Sequence, residues 1–283
     1  MHLYDKNALA CSKITANNYS TSFSFGIRLF KRKYRPAIYA IYGFVRFADE
    51  IVDTFHDLNQ RELLEKLRSD TFGALDAGFS PNPILHSFQK VVHEYGISRE
   101  YIEAFLHSME MDLTRKKYNK KEISEYIYGS AEVIGLMCLK VFHNNSEKDF
   151  EALVYPARKL GEAFQKVNFL RDIRADYLDK GRIYFPGLQF ENFSEEQKKA
   201  IEEEIASDFS EARKGIEKLN RDVQLGIYLA YSYYLQLLKK IRKTTPEKIL
   251  EKRYRVSGFQ KLVLLADAWI RFKMRCLSSR RGK

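Results

Sequence analysis

The stretch Pro36-Ala-Ile-Tyr-Ala-Ile-Tyr-Gly-Phe-Val-Arg-Phe-Ala-Asp-Glu-Ile-Val-Asp53 decides how the chain is read. Proline is favoured in the first turn of a helix, and here apolar residues follow on nearly every side. That pattern marks a buried helix, running to about Phe55. Its polar exceptions are Tyr42, Arg46, Asp49 and Asp53, with Glu50 beside them. The spacing of the first four places them on one stripe. Asp49 and Asp53 stand one turn apart, about 6 Å along the axis. Two carboxylates so placed repel unless a cation or water screens them. Hard oxygen ligands of this kind suit Mg²⁺, which completes its shell with phosphate and water. A lone Asp-x-x-x-Asp is most often a solvated face; Ile, Phe, Val and Ala on the remaining sides argue against that here.

A second segment repeats the arrangement: Gly161-Glu-Ala-Phe-Gln-Lys-Val-Asn-Phe-Leu-Arg-Asp-Ile-Arg-Ala-Asp-Tyr-Leu-Asp179. Gln165, Asn168, Asp172, Asp176 and Asp179 form one polar stripe at helical spacing. Two such helices facing each other would set four carboxylates around a shared cavity. Arg46 and Arg171 lie beside them and have the fork geometry that grips phosphate oxygens. Acid pairs with arginines inside a greasy bundle point to a metal-bridged polyphosphate on an apolar ligand.

Outward from these two segments, helical periodicity continues. Helices are expected over about 59–77, 84–95, 98–114, 122–143, 147–179, 195–222, 224–243, 246–253 and 257–277. Alternating runs with hairpin turns are missing, so the expectation is an all-α chain. No linker-like shift in composition divides it, and residues 1–283 read as one domain. With 45% apolar residues the chain can fill a core, which excludes wholesale disorder. The longest apolar run, Val133 to Leu139, is far short of the ~20 residues a membrane span needs. Met1 to Lys6 lacks the charged-then-apolar pattern of a signal peptide. Cys11, Cys138 and Cys276 suit neither a disulfide framework nor a zinc site, and together these features predict a cytoplasmic protein.

The formal net charge of +11 is unevenly placed: residues 239–283 carry 15 basic and 3 acidic side chains, leaving 33 and 34 for the rest. The body is therefore neutral. No nucleic-acid-binding motif accompanies the basic end, so a nucleic-acid partner is not expected. The tail at 271–283, with Arg271-Phe-Lys-Met-Arg275 and Arg280-Arg281, could rest peripherally on an anionic membrane face or stand solvated.

The stretches Tyr42 to Asp53 and Gln165 to Asp176, continuing to Gly181-Arg-Ile-Tyr-Phe-Pro186, closely resemble the two signatures of the squalene/phytoene synthase family. Tyr19-Ser-Thr-Ser-Phe23 resembles the family's N-terminal diphosphate-contacting motif. Tyr128-Gly-Ser-Ala-Glu-Val-Ile-Gly135 resembles its cavity-lining helix, and Tyr234 falls where the family has a substrate-contacting tyrosine. Glu132 departs from the pattern, where many relatives have Gly, and is given no role.

The resemblance implies an isoprenoid-synthase helical bundle with a central cavity, and a prenyltransferase that joins two allylic diphosphates head to head. It assigns Asp49, Asp53, Asn168, Asp172 and Asp176 to Mg²⁺, with Mn²⁺ as the substitute ion. Tyr42 and Arg46 join the aspartates in catalysis. Tyr19, Ser20, Thr21, Ser22, Phe23, Tyr42, Arg46, Tyr128, Gln165, Arg171 and Tyr234 would hold the prenyl diphosphates. Phe23, Tyr42, Tyr128 and Tyr234 are candidates to face a carbocation, and Gly43, Gly129, Ala131 and Gly135 either leave room for a prenyl chain or let helices close. Arg253 and Arg255 are placed to reach the pocket mouth. No Gly-x-Gly-x-x-Gly fingerprint is present, and no NADPH is expected. The segment 128–139 is most similar to bacterial phytoene synthases, which act on geranylgeranyl diphosphate. Dehydrosqualene, squalene or hydroxysqualene synthesis from farnesyl diphosphate is the rival reading, and a non-catalytic assembly factor of the same fold the remote one.

Overall fold

Local signals start and stop most of the helices. Asn59, Asn82, Ser98, Ser146 and Asn220 cap helix N-termini through their side chains. Asn119 and Ser194 do so in reciprocal capping boxes with Glu122 and Gln197. Gly78, Gly96 and Gly181 end helices in the left-handed conformation. In the computed structural model, residues 2–19, 21–143 and 146–281 are described, without the side chains of Thr21, Ser22, Arg271 and residues 273–281.

The helices are α1 (Leu3–Tyr19), α2 (Thr21–Arg28), α3 (Arg35–Asp53), α4 (Gln60–Ala77), α5 (Pro83–Tyr95), α6 (Arg99–Thr114), α7 (Lys120–Ile127), α8 (Val133–Phe142), α9 (Glu147–Lys180), α10 (Glu195–Ile216), α11 (Arg221–Arg242), α12 (Pro246–Glu251) and α13 (Gly258–Arg281). Among the described residues there is no strand, only an isolated bridge between Lys117 and Ile183. The all-α expectation holds. α1 and α2, to which the periodicity reading gives no boundaries, complete the N-terminal side.

One expected helix is corrected. Residues 122–143 do not run as a single α-helix: a π-helical turn, Tyr128–Glu132, separates α7 from α8. The turn lies hard against α6. A Cβ on Gly129 would sit 2.2 Å from the Ala104 carbonyl oxygen, and one on Gly161 of α9 would sit 2.8 Å from that of Ala131. Glycine at both places lets three backbones close around the turn, and the extra residue re-aims the side chains on either side of it.

The apolar residues gather into two main cores. The larger holds buried residues of α1, α3, α4, α5, α6 and α8, with Phe44 stacked on Phe88 at 4.0 Å. The second holds α9, α10, α11 and α12, around Val167, Phe209 and Leu237. Pro156 interrupts the hydrogen-bond ladder of α9 and packs where Gly215 of α10 leaves space. The functional cavities lie along the seam between these cores.

Candidate active site

The acidic stripe of α3 and the acidic stripe of α9 line one recess of about 230 Å³. Arg46, Asp49 and Asp53 enter from α3; Gln165, Asn168, Arg171, Asp172 and Asp176 enter from α9. Asp179 continues the α9 stripe in sequence but is exposed and does not line the recess.

Asp49, Asp53 and Asp172 each have a cation against them. Arg46 Nη1 donates to Asp49 at 2.8 Å, and Lys180 Nζ to Asp53 at 2.5 Å. Arg171 Nε donates to Asp172 at 2.9 Å. Arg253, from the segment after α12, closes on the same carboxylate through Nε at 2.6 Å and Nη2 at 3.1 Å. Arg253 thus reaches the recess as its position suggested. Arg255 is exposed, and its carbonyl accepts from Lys240.

Burial and crowding shift the acids. Loss of water pushes the Asp49 carboxyl up to about 7, against Arg46 and with the repulsion of Asp53 and Asp112. Loss of water also pushes Asp176 up to about 7, helped by Asp172 and opposed by Lys180 and Arg182. Two carboxyls held near neutrality in one recess are poised to exchange their protons for a metal cation. Asn168 fits the same purpose: its side chain hydrogen-bonds Tyr234, while its Oδ1 is buried without a partner. A hard oxygen left unpaired beside three or four carboxylates is the donor set that Mg²⁺ takes. Arg46 Nε and Ser130 Oγ are likewise buried and unpartnered at this recess.

Four residues that the sequence reading left without a role form the inner wall. Asp112 of α6 accepts from Tyr126 OH at 2.8 Å and from Tyr184 OH at 2.9 Å. Arg182 pairs with the Asp112 carboxylate at 3.3 Å and donates to its carbonyl at 2.6 Å. Gly181, left-handed at the end of α9, turns the chain so that Arg182 and Tyr184 point back inward. The stretch 181–186 was therefore the available signal for those two. Asp112 has none, standing alone on an ordinary helix.

Tyr128 is displaced from its expected place. Tyr126 lines the recess, whereas Tyr128 lies under the Arg158 guanidinium, 5.2 Å from its ring centre, and lines neither of the cavities described here. Residues two apart on a helix point in very different directions, so only one of the pair can face inward. Glu132 also turns away: it is buried and paired with Arg158. Tyr19 holds the rim, its ring 4.7 Å from the Arg46 guanidinium, with Glu50 on its hydroxyl. Ser20 and the side chains of Thr21 and Ser22 lie outside the described residues.

Beside the polar recess runs a second, almost wholly apolar cavity of about 170 Å³. Ala131 lines it from the π turn, Ile134 and Gly135 from α8, Leu160 and Phe164 from α9, and Phe23 from α2. Gly43 and Gly129 instead serve close packing, against Ser12 and Ala104. Aromatic pairs join the two spaces. Tyr42 stacks on Phe23 at 4.4 Å, and Tyr234 stacks on Phe164 at 4.1 Å while reaching Asn168 with its hydroxyl. The far end is closed by Phe142, set edge-on to Phe30 at 5.3 Å.

A further acid cluster, Glu162, Glu204 and Asp208, has the spacing for a metal. Lysines fill it: Lys166 Nζ meets Asp208 at 2.7 Å and also Glu162 and Glu204, and Lys159 Nζ bridges Glu162 and Asp208 at 2.6 and 2.8 Å. It is an ion-pair clamp between α9 and α10.

An all-α fold that sets carboxylates and arginines at the mouth of a greasy cavity defines a class of enzyme working on diphosphates of apolar chains. The family model for squalene/phytoene synthase matches residues 16–260, and the chain belongs to that family. It is accordingly a prenyltransferase of isoprenoid biosynthesis, a family that uses divalent metal. The chain is 27% identical to the phytoene synthase of Arthrospira platensis over 93% of both chains. It is 25% identical to the 4,4'-diapophytoene synthase of Staphylococcus haemolyticus, over 92% of this chain and 95% of the relative. In fold it is similar to a dehydrosqualene synthase crystallised with a ligand, with TM-score 0.82 and 21% identity over 95% of this chain and 98% of that one.

Proposed function

We propose that the protein condenses two molecules of geranylgeranyl diphosphate head to head into phytoene, by way of the cyclopropyl intermediate prephytoene diphosphate. The observation that carries this reading is the junction of the two cavities: a charged recess able to hold diphosphates opens beside an apolar one able to hold prenyl chains. Asp49, Asp53, Asn168, Asp172 and Asp176 would hold the divalent ion, taken to be Mg²⁺. When bound, that ion neutralises the charge that develops on the leaving diphosphate.

The chain's own residues do the rest. Arg46, Arg171 and Arg253, which pair with these aspartates, would offer their forked N–H groups to diphosphate oxygens. Gln165 presents a further amide donor from the recess wall. Tyr42, Phe23, Phe164 and Tyr234 set ring faces between the recess and the apolar cavity. There an allylic cation is shielded from water and each face is worth roughly 0.5–2 kcal/mol. No reductant is required, because proton loss ends the reaction. Contact with an anionic membrane through the basic C-terminal segment belongs to the same proposal.

Farnesyl diphosphate is the competing substrate, favoured by one feature: Phe142 and Phe30 close the apolar cavity at its far end. Incubation with Mg²⁺ and either diphosphate, without NADPH, followed by mass spectrometry, separates the two. Phytoene from geranylgeranyl diphosphate supports the proposal. Coupling of farnesyl diphosphate alone overturns it.

A further inference from the structure

A hydroxyl on a helix usually bonds back to the preceding turn. Thr15, Thr71, Ser108 and Ser124 each donate to a carbonyl three or four residues earlier. Ser130 departs from that habit. It stands in the middle of the π turn Tyr128–Glu132, and its Oγ is buried without a partner. An unpaired buried hydroxyl burdens the fold, and a bound group that accepts its hydrogen relieves the burden.

The backbone cannot shift to pair it. On one side Gly129 presses on the Ala104 carbonyl of α6, and on the other the Ala131 carbonyl lies against Gly161 of α9. Ser130 is thereby fixed where the two cavities meet: it lines the polar recess, and Ala131 lines the apolar one. Among the described residues, three buried side-chain atoms of the recess lack partners: Asn168 Oδ1, Arg46 Nε and Ser130 Oγ. The first can only accept and suits a cation. The second can only donate and suits an anion. The third can do either, so its place decides its use.

A prenyl diphosphate would straddle the boundary beside Ser130, with its phosphates in the recess and its chain in the apolar cavity. The bond that breaks joins those two parts. We propose that Ser130 is a catalytic residue whose hydroxyl donates to the departing diphosphate oxygen. The carbon–oxygen bond breaks with both electrons going to that oxygen, and the serine keeps its proton. The hydrogen bond strengthens as the negative charge develops, so it favours the transition state over the bound substrate. The assignment rests on the diphosphate reading above and adds to it an uncharged donor at the reacting end.

Two variants test it. Ser130→Ala removes the hydroxyl, and Ser130→Cys keeps a side chain of similar size with a much weaker donor. Diphosphate release by the full chain is measured with Mg²⁺ and, separately, geranylgeranyl and farnesyl diphosphate. On the substrate that the parent uses, kcat should fall about 10–100-fold in both variants, with KM within about threefold of the parent. Affinity for inorganic diphosphate with Mg²⁺ should weaken about tenfold by titration calorimetry. The thermal midpoint should hold or rise, because no bond within the fold is lost. A serine with only a structural role would not separate turnover from stability in this way. Parental kcat in Ser130→Ala would overturn the assignment, as would a thermal midpoint that falls together with kcat. Parental kcat in Ser130→Cys beside a loss in Ser130→Ala would overturn it too, since volume and not the donor would then matter. A parent that releases diphosphate from neither substrate would overturn the diphosphate reading itself, and the assignment with it.

Discussion

Asp49 and Asp176 illustrate what a recess does to a carboxylate. Both titrate near 7 in the fold, whereas an unfolded aspartate titrates near 3.9. The folded protein therefore holds more protons than the unfolded chain between those values. The stability this contributes is complete below about pH 4 and lost as pH rises through about 7. The thermal midpoint of the metal-free protein should accordingly fall between about pH 5 and about pH 8. Added Mg²⁺ should restore more of it at the upper end, with protons released on binding; calorimetry in buffers of different ionisation enthalpy measures both. Arg253 allows a second test at this scale. It is half-exposed and holds Asp172 with two nitrogens. Arg253→Ala should weaken binding of inorganic diphosphate in the presence of Mg²⁺ by about tenfold, read by titration calorimetry, without a change in helix content.

At the scale of elements, the π turn at 128–132 sets which side chains reach the cavities. It places Ser130 in the polar recess and Ala131 in the apolar cavity from adjacent positions. Its fit depends on Gly129, which has no space for a Cβ against α6. Gly129→Ala should destabilise the fold by about 1–3 kcal/mol through that overlap and lower turnover through misplacement of Tyr126. Denaturant melts and steady-state rates would show the two effects together. The lysine clamp between α9 and α10 works differently. Lys166 is buried with acids on three sides, so Lys166→Met leaves Asp208 and Glu162 short of a counter-charge. A loss of about 3–5 kcal/mol in unfolding free energy is expected, recovered in part by also replacing Asp208 with Asn.

For the whole molecule, periodicity alone carried the reading far. Acids at helical spacing on two otherwise apolar helices are costly unless they share a site, and α3 and α9 do bring Asp49, Asp53, Asp172 and Asp176 to one recess. Helix starts from α4 onward were largely legible because caps are local chemistry, but the expected 122–143 hid the π turn and the expected 195–222 ran past the end of α10 at Ile216. What stayed hidden depends on contacts distant in sequence. Asp112 acquires its partners from residues 126, 182 and 184, and nothing beside it in the chain announces them. The choice of Tyr126 over Tyr128 follows from a helix register altered by backbone packing at Ala104, which sequence spacing does not encode.

The central claim is that the two acidic stripes act together on a diphosphate, and the most direct test is made on one residue from each. Asp49→Asn and Asp172→Asn are nearly isosteric and remove one negative charge apiece. With Mg²⁺ and geranylgeranyl diphosphate, diphosphate release should fall by ~10³-fold in each variant while the far-ultraviolet circular dichroism stays that of the parent. Near-parental release from either folded variant would contradict the account.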